Sequence, residues 1–155
     1  MGKDKKAARV SCASCNLEVA RKSCYSDKGT GPKGCPTLTR KEVLVAANKE
    51  YEVAEILEFA RQASIQESEC YANRHERPYI MQPCKTRIVE VCEFARKMGY
   101  TRLGLAFCMG LAKEAAVVDT ILKENGFEVI SILCKAGRTL KEKIGVRDAE
   151  KIHQG

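Results

Sequence analysis

The sequence contains no tryptophan, few other aromatic residues and only two histidines among its 155 residues. No apolar run approaches the roughly 20 residues that a membrane-spanning helix requires, and no apolar stretch follows the charged start Met1-Gly2-Lys3-Asp4-Lys5-Lys6. We therefore expect neither a secretory signal nor a membrane span, and a location in the cytoplasm. Internal repeats and low-complexity tracts are absent too, and a chain of this length can bury a core of its own.

Cysteine, by contrast, is abundant, with nine residues in the chain. In a reducing compartment, an odd number of cysteines argues against a disulfide framework and for metal binding or thiol chemistry. Four of them follow one another as C-x₂-C-x₈-C-x₁₀-C near the N-terminus: Cys12, Cys15, Cys24 and Cys35. A tight turn can direct the first two sulfurs at one ion, and two more from later loops complete a tetrahedron or hold a cubane.

Because no histidine lies in this segment, an all-thiolate site is predicted, for zinc or a [4Fe–4S] cluster. The spacing does not separate these two cofactors. The alternative is that the four thiols are unliganded and the segment is an unstructured tail.

The positive charge of the chain lies in the same stretch. Residues 1–41 hold ten Lys or Arg against three acids, a net of +7, whereas residues 42–155 hold seventeen of each sign. A basic shell would stabilise the negative charge of a thiolate metal site. A phosphate-binding patch of a zinc module for nucleic acid is the competing interpretation. It ranks second because Tyr25 is the only aromatic residue there, which leaves almost no stacking platform for bases.

Glycine and proline divide the chain near residue 37. We predict a cysteine-rich metal-binding segment over residues 1–37, which metal ligation would order, and a helical and βαβ domain over residues 38–155. The run Gly29-Thr30-Gly31-Pro32-Lys33-Gly34 is not a phosphate loop, because Cys35-Pro36 stand where Lys and Ser/Thr are required.

Helical patterns dominate after residue 37, and the last third predicts the fold. Apolar spacing indicates helices around 43–47, from 53 towards 71, and over 85–97, where Gly99 would cap the C-terminus. An apolar strand over 102–108, a helix over 112–125 and a β-branched strand over 127–134 then form a βαβ unit. The fold class predicted is α/β, with a Rossmann-like three-layer core around this parallel unit.

A second pair of cysteines ends the two predicted strands. In open α/β sheets, ligands bind beyond the carboxyl ends of the strands, so Cys108 and Cys134 would lie roughly 5–7 Å apart at such a position. The helix start that follows Cys108 would direct free N–H groups at the crevice, and Lys135 adds positive charge. The predicted cofactor-binding residues are Cys108, Met109, Gly110, Cys134 and Lys135.

Cys108 and Cys134 are also the candidate catalytic residues, for thiol, redox or group-transfer chemistry. The alternative is that both are small hydrophobic residues of the core. The turn lacks G-x-G-x-x-G, so it is not a standard dinucleotide site. The remaining cysteines (Cys70, Cys84 and Cys92) are interpreted as structural, and His75 and His153 as solvated.

Several stretches carry a resemblance to a known family: Cys12-Ala13-Ser14-Cys15, Lys33-Gly34-Cys35-Pro36-Thr37, the run from Glu93 to Tyr100, and Gly104-Leu105-Ala106-Phe107-Cys108-Met109-Gly110-Leu111 with Glu114-Ala115. They resemble the prokaryotic family of domain of unknown function 1847, whose members are usually named metal-binding proteins. The resemblance implies a metal site at the four N-terminal cysteines and a cysteine-lined crevice at Cys108 and Cys134. It implies no established activity.

Members of that family continue with a Cys-Asn-Pro segment and a strand ending in Gly-Leu-Cys-Val-Gly-His-Asp, whereas this sequence ends at Ile152-His153-Gln154-Gly155. A sheet with two strands is short of the three or more usually needed for independent stability. We therefore expect a homo-oligomer or a partner chain that completes the sheet, or a short or split version of the family.

Overall fold

A computed structural model describes residues 9–152, in which five α-helices and two β-strands follow one another along the chain. The basic residues Lys3, Lys5 and Lys6 and the predicted solvated His153 lie outside this range. The elements are α1 (Pro36–Thr39), α2 (Lys41–Lys49), α3 (Ala54–Glu69), α4 (Arg87–Lys97), β1 (Arg102–Phe107), α5 (Ala112–Glu124) and β2 (Glu128–Leu133). The chain forms two compact units, Met1–Ala60 and Arg61–Gly155, and the predicted boundary at residue 37 stays a prediction.

The first unit is built from turns and short helices. A parallel bridge joins Lys22 to Thr30, and α1 begins with Pro36, whose missing N–H costs nothing at the first position of a helix. The helix predicted around residues 43–47 is α2. Within residues 9–60, no residue is buried.

The second unit contains the predicted βαβ unit. β1 and β2 pair in parallel, in a register that runs from Arg102 opposite Glu128 to Phe107 opposite Leu133. α5 connects the strands, and Gly126 ends the helix at a φ of +89°, a conformation that favours glycine. Gly99 ends α4 in the same way, at a φ of +68°. The α/β class is confirmed, and each of these element boundaries lies within two residues of the predicted one.

The core of this unit lies between the helices and one face of the sheet. Cys92 and Ala95 of α4 meet Leu122 of α5 and Phe127, with four partly buried side chains around them: Ile88, Leu103, Val118 and Val129. The interpretation of Cys92 as structural is therefore confirmed.

The opposite face of the sheet is open among the described residues. Ile130 and Ile132 of β2 are 54% and 55% exposed, although parallel sheets are commonly covered on both faces. The described residues thus form a two-stranded sheet with helices on one face, and the three-layer Rossmann-like arrangement is not confirmed.

Candidate functional site

The two strands place Cys108 and Cys134 side by side. Each cysteine is the residue directly after its strand, and the last strand residues, Phe107 and Leu133, are register partners. The N–H of Cys134 donates to the carbonyl oxygen of Phe107 at 2.8 Å, which extends the pairing by one position. Both thiols are exposed. The predicted meeting of these two cysteines at the carboxyl edge of the sheet therefore agrees with the structure.

The backbone after β1 is arranged to stabilise a thiolate at Cys108. Residues Met109–Leu111 form a 3₁₀ turn, closed by a 2.8 Å hydrogen bond from the N–H of Leu111 to the carbonyl oxygen of Cys108. The N–H of Gly110 lowers the pKa of Cys108 most, and a side-chain hydrogen bond with Cys134 lowers it further. Smaller contributions in the same direction come from the N–H of Met109 and the charge of Lys135, while desolvation opposes them.

These five residues (Cys108, Met109, Gly110, Cys134 and Lys135) are called the dithiol site below. A Cβ added at Gly110 would meet no atom within 4 Å, so the approach to the turn is open. Met109, the residue after Cys108, is an apolar side chain that is 52% exposed. The arrangement joins an exposed thiol of lowered pKa to a second thiol within reach, which is the pattern of reactive cysteines.

Three of the four N-terminal cysteines lie in or next to turns, and Cys35 precedes α1. Cys12 is the first residue of a 3₁₀ turn, and Cys15 directly follows that turn. A 3.1 Å hydrogen bond from the N–H of Cys15 to the carbonyl oxygen of Cys12 closes it. Cys24 lies in the turn between the bridged residues Lys22 and Thr30, and its side chain is exposed. The Cys-x-x-Cys spacing thus gives the tight turn that the sequence predicts.

Glycine holds the Cys24 turn together because the backbone approaches itself closely there. A Cβ at Gly29 would lie 2.3 Å from the carbonyl carbon of Lys22, a distance that real Cβ atoms do not reach. The N–H of Ser23 donates to the carbonyl oxygen of Thr30 at 2.8 Å. The N–H of Thr30 donates to the carbonyl oxygen of Arg21, also at 2.8 Å. The turn therefore requires glycine at position 29.

Cys35 precedes α1 and contacts residues of the preceding turn. Its sulfur lies 3.4 Å from the hydroxyl oxygen of Ser23, and this hydrogen bond is the main cause of a lowered pKa for the Cys35 thiol. A Cβ at Gly31 would lie 2.7 Å from the same sulfur, so glycine leaves the space that Cys35 uses. The segment therefore brings Ser23, Gly31 and Cys35 together.

Among residues 9–152, no group of three or more His, Cys, Asp or Glu side chains is arranged to hold a metal ion. The four-thiolate site at Cys12, Cys15, Cys24 and Cys35 accordingly stays a prediction. The donor chemistry fits the predicted cofactors, because four thiolates without histidine suit zinc and Fe–S clusters alike. All nine cysteines belong to the described part of the chain, and none forms a disulfide.

The structure brings together two cysteines that the sequence does not connect. Cys70 and Cys84 lie next to an antiparallel bridge between Tyr71 and Pro83, which joins the two chain segments. Cys70 is buried and Cys84 is exposed. No periodicity connects positions 70 and 84, and a predicted turn between them is the one feature that could have suggested the contact. His75 is exposed, as predicted.

Comparison with known proteins identifies the family. The model of the family described as "Protein of unknown function (DUF1847)" matches residues 35–155, and the chain belongs to this family. The uncharacterized protein MJ0455 of Methanocaldococcus jannaschii is 31% identical over 126 residues, which cover 81% of this chain and 52% of that protein. The chain thus spans about half the length of this relative. No solved structure matches the present chain. None of its described helices is long and apolar enough to cross a membrane.

Proposed function

We propose that this member of the family acts in thiol–disulfide exchange through the dithiol site, with Cys108 as the nucleophile and Cys134 as the resolving thiol. The observation that supports the proposal is the juxtaposition of two exposed thiols directly after two paired strands, where the N–H of Cys134 donates to the carbonyl oxygen of Phe107 at 2.8 Å. The N–H groups of Met109 and Gly110 and the charge of Lys135 favour the thiolate at Cys108.

The reaction follows from the positions of the two sulfurs. The Cys108 thiolate attacks one sulfur of a substrate disulfide, forms a mixed disulfide and releases the other substrate sulfur as a thiolate, which takes up a proton. Cys134 then loses its proton to solvent and attacks the Cys108 sulfur, which forms the Cys108–Cys134 disulfide and releases the second substrate thiol. Neighbouring strands lie about 4.8 Å apart, within the Cα separation of about 4.4–6.8 Å that a disulfide spans. A dithiol reductant restores the starting state.

Alkylation and trapping test this proposal. Iodoacetamide should modify Cys108 several-fold faster than Cys70 at neutral pH, since the pKa of Cys108 is lowered and burial raises that of Cys70. With glutathione disulfide, Cys134→Ser should accumulate the mixed disulfide at Cys108, whereas Cys108→Ser should not form it at Cys134 at a comparable rate. Equal alkylation of Cys108 and Cys70, or no mixed disulfide in Cys134→Ser, would exclude the mechanism.

We also propose the metal site predicted from the sequence, as a second function of the first unit. The observation that favours it is that residues 9–60 form hydrogen-bonded turns and short helices without one buried residue, although ordering a backbone costs about 1–2 kcal/mol per residue. Ligation of zinc or an Fe–S cluster by Cys12, Cys15, Cys24 and Cys35 would offset that cost.

Anaerobic purification with metal analysis and a visible spectrum tests the second proposal. Bound iron and sulfide with visible absorption indicate a cluster, and a colourless zinc-loaded protein indicates zinc. Cys15→Ser should lose the metal, and the control Cys84→Ser should retain it. A folded wild-type protein that stays free of metal under anaerobic loading would contradict the proposal.

Three further predictions remain as proposals. A reducing, cytoplasmic location is supported by the nine free cysteines. A Rossmann-like sheet completed by a second copy or another chain is supported by the open face at Ile130 and Ile132, and light scattering would detect the partner. Binding to nucleic acid is the weaker alternative. Salt-dependent retention on DNA or RNA would support it.

A further inference from the structure

The backbone brings Cys70 and Cys84 to opposite positions of a short antiparallel ladder. The bridge pairs Tyr71 with Pro83. On one side the N–H of Ala72 donates to the carbonyl oxygen of Gln82 at 2.9 Å, and on the other the N–H of Cys84 donates to that of Cys70 at 2.9 Å. Opposite residues of such a ladder have Cα atoms about 5.5 Å apart or closer, and their side chains share one face. This separation suits a disulfide, whose Cα atoms are usually about 4.4–6.8 Å apart.

The two thiols have different surroundings. Cys70 is 4% exposed, and its sulfur donates to the carbonyl oxygen of Gln66 at 2.9 Å. Burial is the main cause that raises the pKa of Cys70, and a hydrogen bond with the Glu90 carboxyl acts in the same direction. Cys84 is exposed, with its sulfur 3.8 Å from the carbonyl oxygen of Glu69. A small oxidant therefore reaches Cys84 first, and Cys70 is protected from forming a mixed disulfide itself.

A polar network fixes the backbone on both sides of this pair. The amide of Gln66 donates to the Glu93 carboxylate at 2.7 Å, and Lys97 donates to the Gln66 amide oxygen at 2.6 Å. Lys85, the residue after Cys84, forms an ion pair with the same Glu93 carboxylate at 2.7 Å. The end of α3 and the residues just before α4 are therefore held in place while both cysteines are reduced.

We propose that Cys70 and Cys84 form a reversible disulfide that links the end of α3 to the segment leading into α4. The Cys84 thiolate attacks a low-molecular-weight disulfide and releases one thiol. The Cys70 sulfur then attacks the Cys84 sulfur, and the Cys70 proton goes to the leaving thiolate, which is released as the second small thiol. Two protein thiols are oxidised, one small disulfide is reduced to two thiols, and an excess of the small thiol reverses the reaction.

Peptide mapping after oxidation tests the proposal directly. Trypsin gives peptides 62–74 and 75–85, each with one cysteine, because Arg77 precedes a proline and is not cleaved. The full chain is equilibrated with glutathione disulfide, quenched with an alkylating reagent and digested without reduction. The two peptides should be recovered joined, with the loss of two hydrogens. A reduced sample should give both peptides alkylated.

Variants separate this pair from the dithiol site. Cys108→Ser combined with Cys134→Ser should leave the Cys70–Cys84 link unchanged, so the present proposal and the proposed function can fail independently. Cys84→Ser alters an exposed residue and should leave Cys70 reduced. Cys70→Ser should leave Cys84 as a stable glutathione adduct.

Three results would overturn the proposal. These are a glutathione adduct on Cys84 in the wild-type chain without linkage, linkage of Cys84 to a different cysteine, and both residues still reduced in excess glutathione disulfide. Cys92, which is buried in the core and lies in its own tryptic peptide, should stay reduced throughout and shows that the chain remained folded.

Discussion

The two compact units of the chain reach their structures by different means. In the first, residues 9–60 include exposed apolar side chains such as Val43 and Leu57, at 64% and 51% exposure, and none of these residues is buried. In the second, the described residues include eight buried ones: Gln66, Cys70, Glu90, Cys92, Ala95, Ala115, Leu122 and Phe127. The second unit has a hydrophobic core, and the described part of the first has hydrogen-bonded turns and short helices without one.

This difference shows what each unit needs in order to be stable. Buried apolar area contributes roughly 25 cal/mol per Å², and that contribution is available to the second unit through α4, α5 and the sheet. Within its described residues, the first unit has no buried side chain, and its contribution comes from partly covered side chains such as Leu44, which is 41% exposed. Metal ligation by its thiolates or the binding of a partner to its exposed apolar side chains would supply the missing free energy. Mutations should therefore act on the two units separately.

Truncation of the core is expected to have the largest effect. Leu122 is 4% exposed between α4 and β2, so Leu122→Ala should lower the free energy of unfolding by about 2–5 kcal/mol. The matched control is Leu44→Ala in α2, where the side chain is 41% exposed and the change should be about 0.5 kcal/mol. Urea unfolding, monitored in each unit by hydrogen exchange, measures the change in stability of both variants. Equal losses for the two variants would mean that the first unit buries Leu44 in solution.

A change at Gly29 should disturb the first unit alone. The added Cβ of Gly29→Ala would clash with the Lys22 carbonyl group, and relief of that clash should cost about 1–3 kcal/mol and open the Lys22–Thr30 bridge. Hydrogen exchange should increase at Ser23 and Thr30. The control, Gly104→Ala in β1, meets no atom within 4 Å and should be neutral or stabilise the second unit by up to about 1 kcal/mol. Unchanged protection at Ser23 would contradict the close approach.

A third change, at Arg96, should weaken the junction of α4 with the end of α5. Its guanidinium donates to the carbonyl and side-chain oxygens of Asn125 at 3.0 and 2.9 Å, and lies 5.5 Å from the centre of the Phe127 ring. Arg96→Met keeps the aliphatic part of the side chain, so the loss should be about 1 kcal/mol. The comparison is Lys113→Met, at an exposed position of α5. Equal stability of the two variants would show that the Asn125 contacts contribute nothing.

The sequence predicted the elements of the second unit better than the contacts between distant segments. β1, α5 and β2 follow from local patterns, because alternation, helical spacing and a glycine at the helix end each depend on a few neighbouring residues. The meeting of Cys108 and Cys134 follows from them, since parallel strands bring equivalent ends together.

Other features depend on contacts that no local pattern encodes. Cys70 and Cys84 meet because an irregular, exposed segment folds back on itself. The position of Ser23 beside Cys35 depends on the space left by Gly31, which composition does not reveal. A metal site depends on such contacts too, so the four N-terminal cysteines stay a prediction whose test is chemical.

The smallest expected effect is a pH dependence at Glu69, and it concerns the second unit. The hydrogen bond from Lys97 is the main cause of the lowered pKa of the Glu69 carboxyl. A carboxyl whose pKa is lowered by folding stabilises the fold above its ordinary pKa of about 4.3, and this stabilisation is lost as the pH falls through the lower value of the folded state. Glu69→Gln removes the titration and keeps a similar shape.

The stability difference between the wild type and Glu69→Gln should therefore be present at neutral pH and shrink as the pH falls below about 4. Urea unfolding at a series of pH values measures it, with Glu67→Gln, an exposed residue on the same helix, as the control. The difference should also shrink in high salt, because the Glu69–Lys97 pair is partly exposed and salt screens such pairs. A difference that stays constant with pH would contradict a contribution from the ionised Glu69–Lys97 pair.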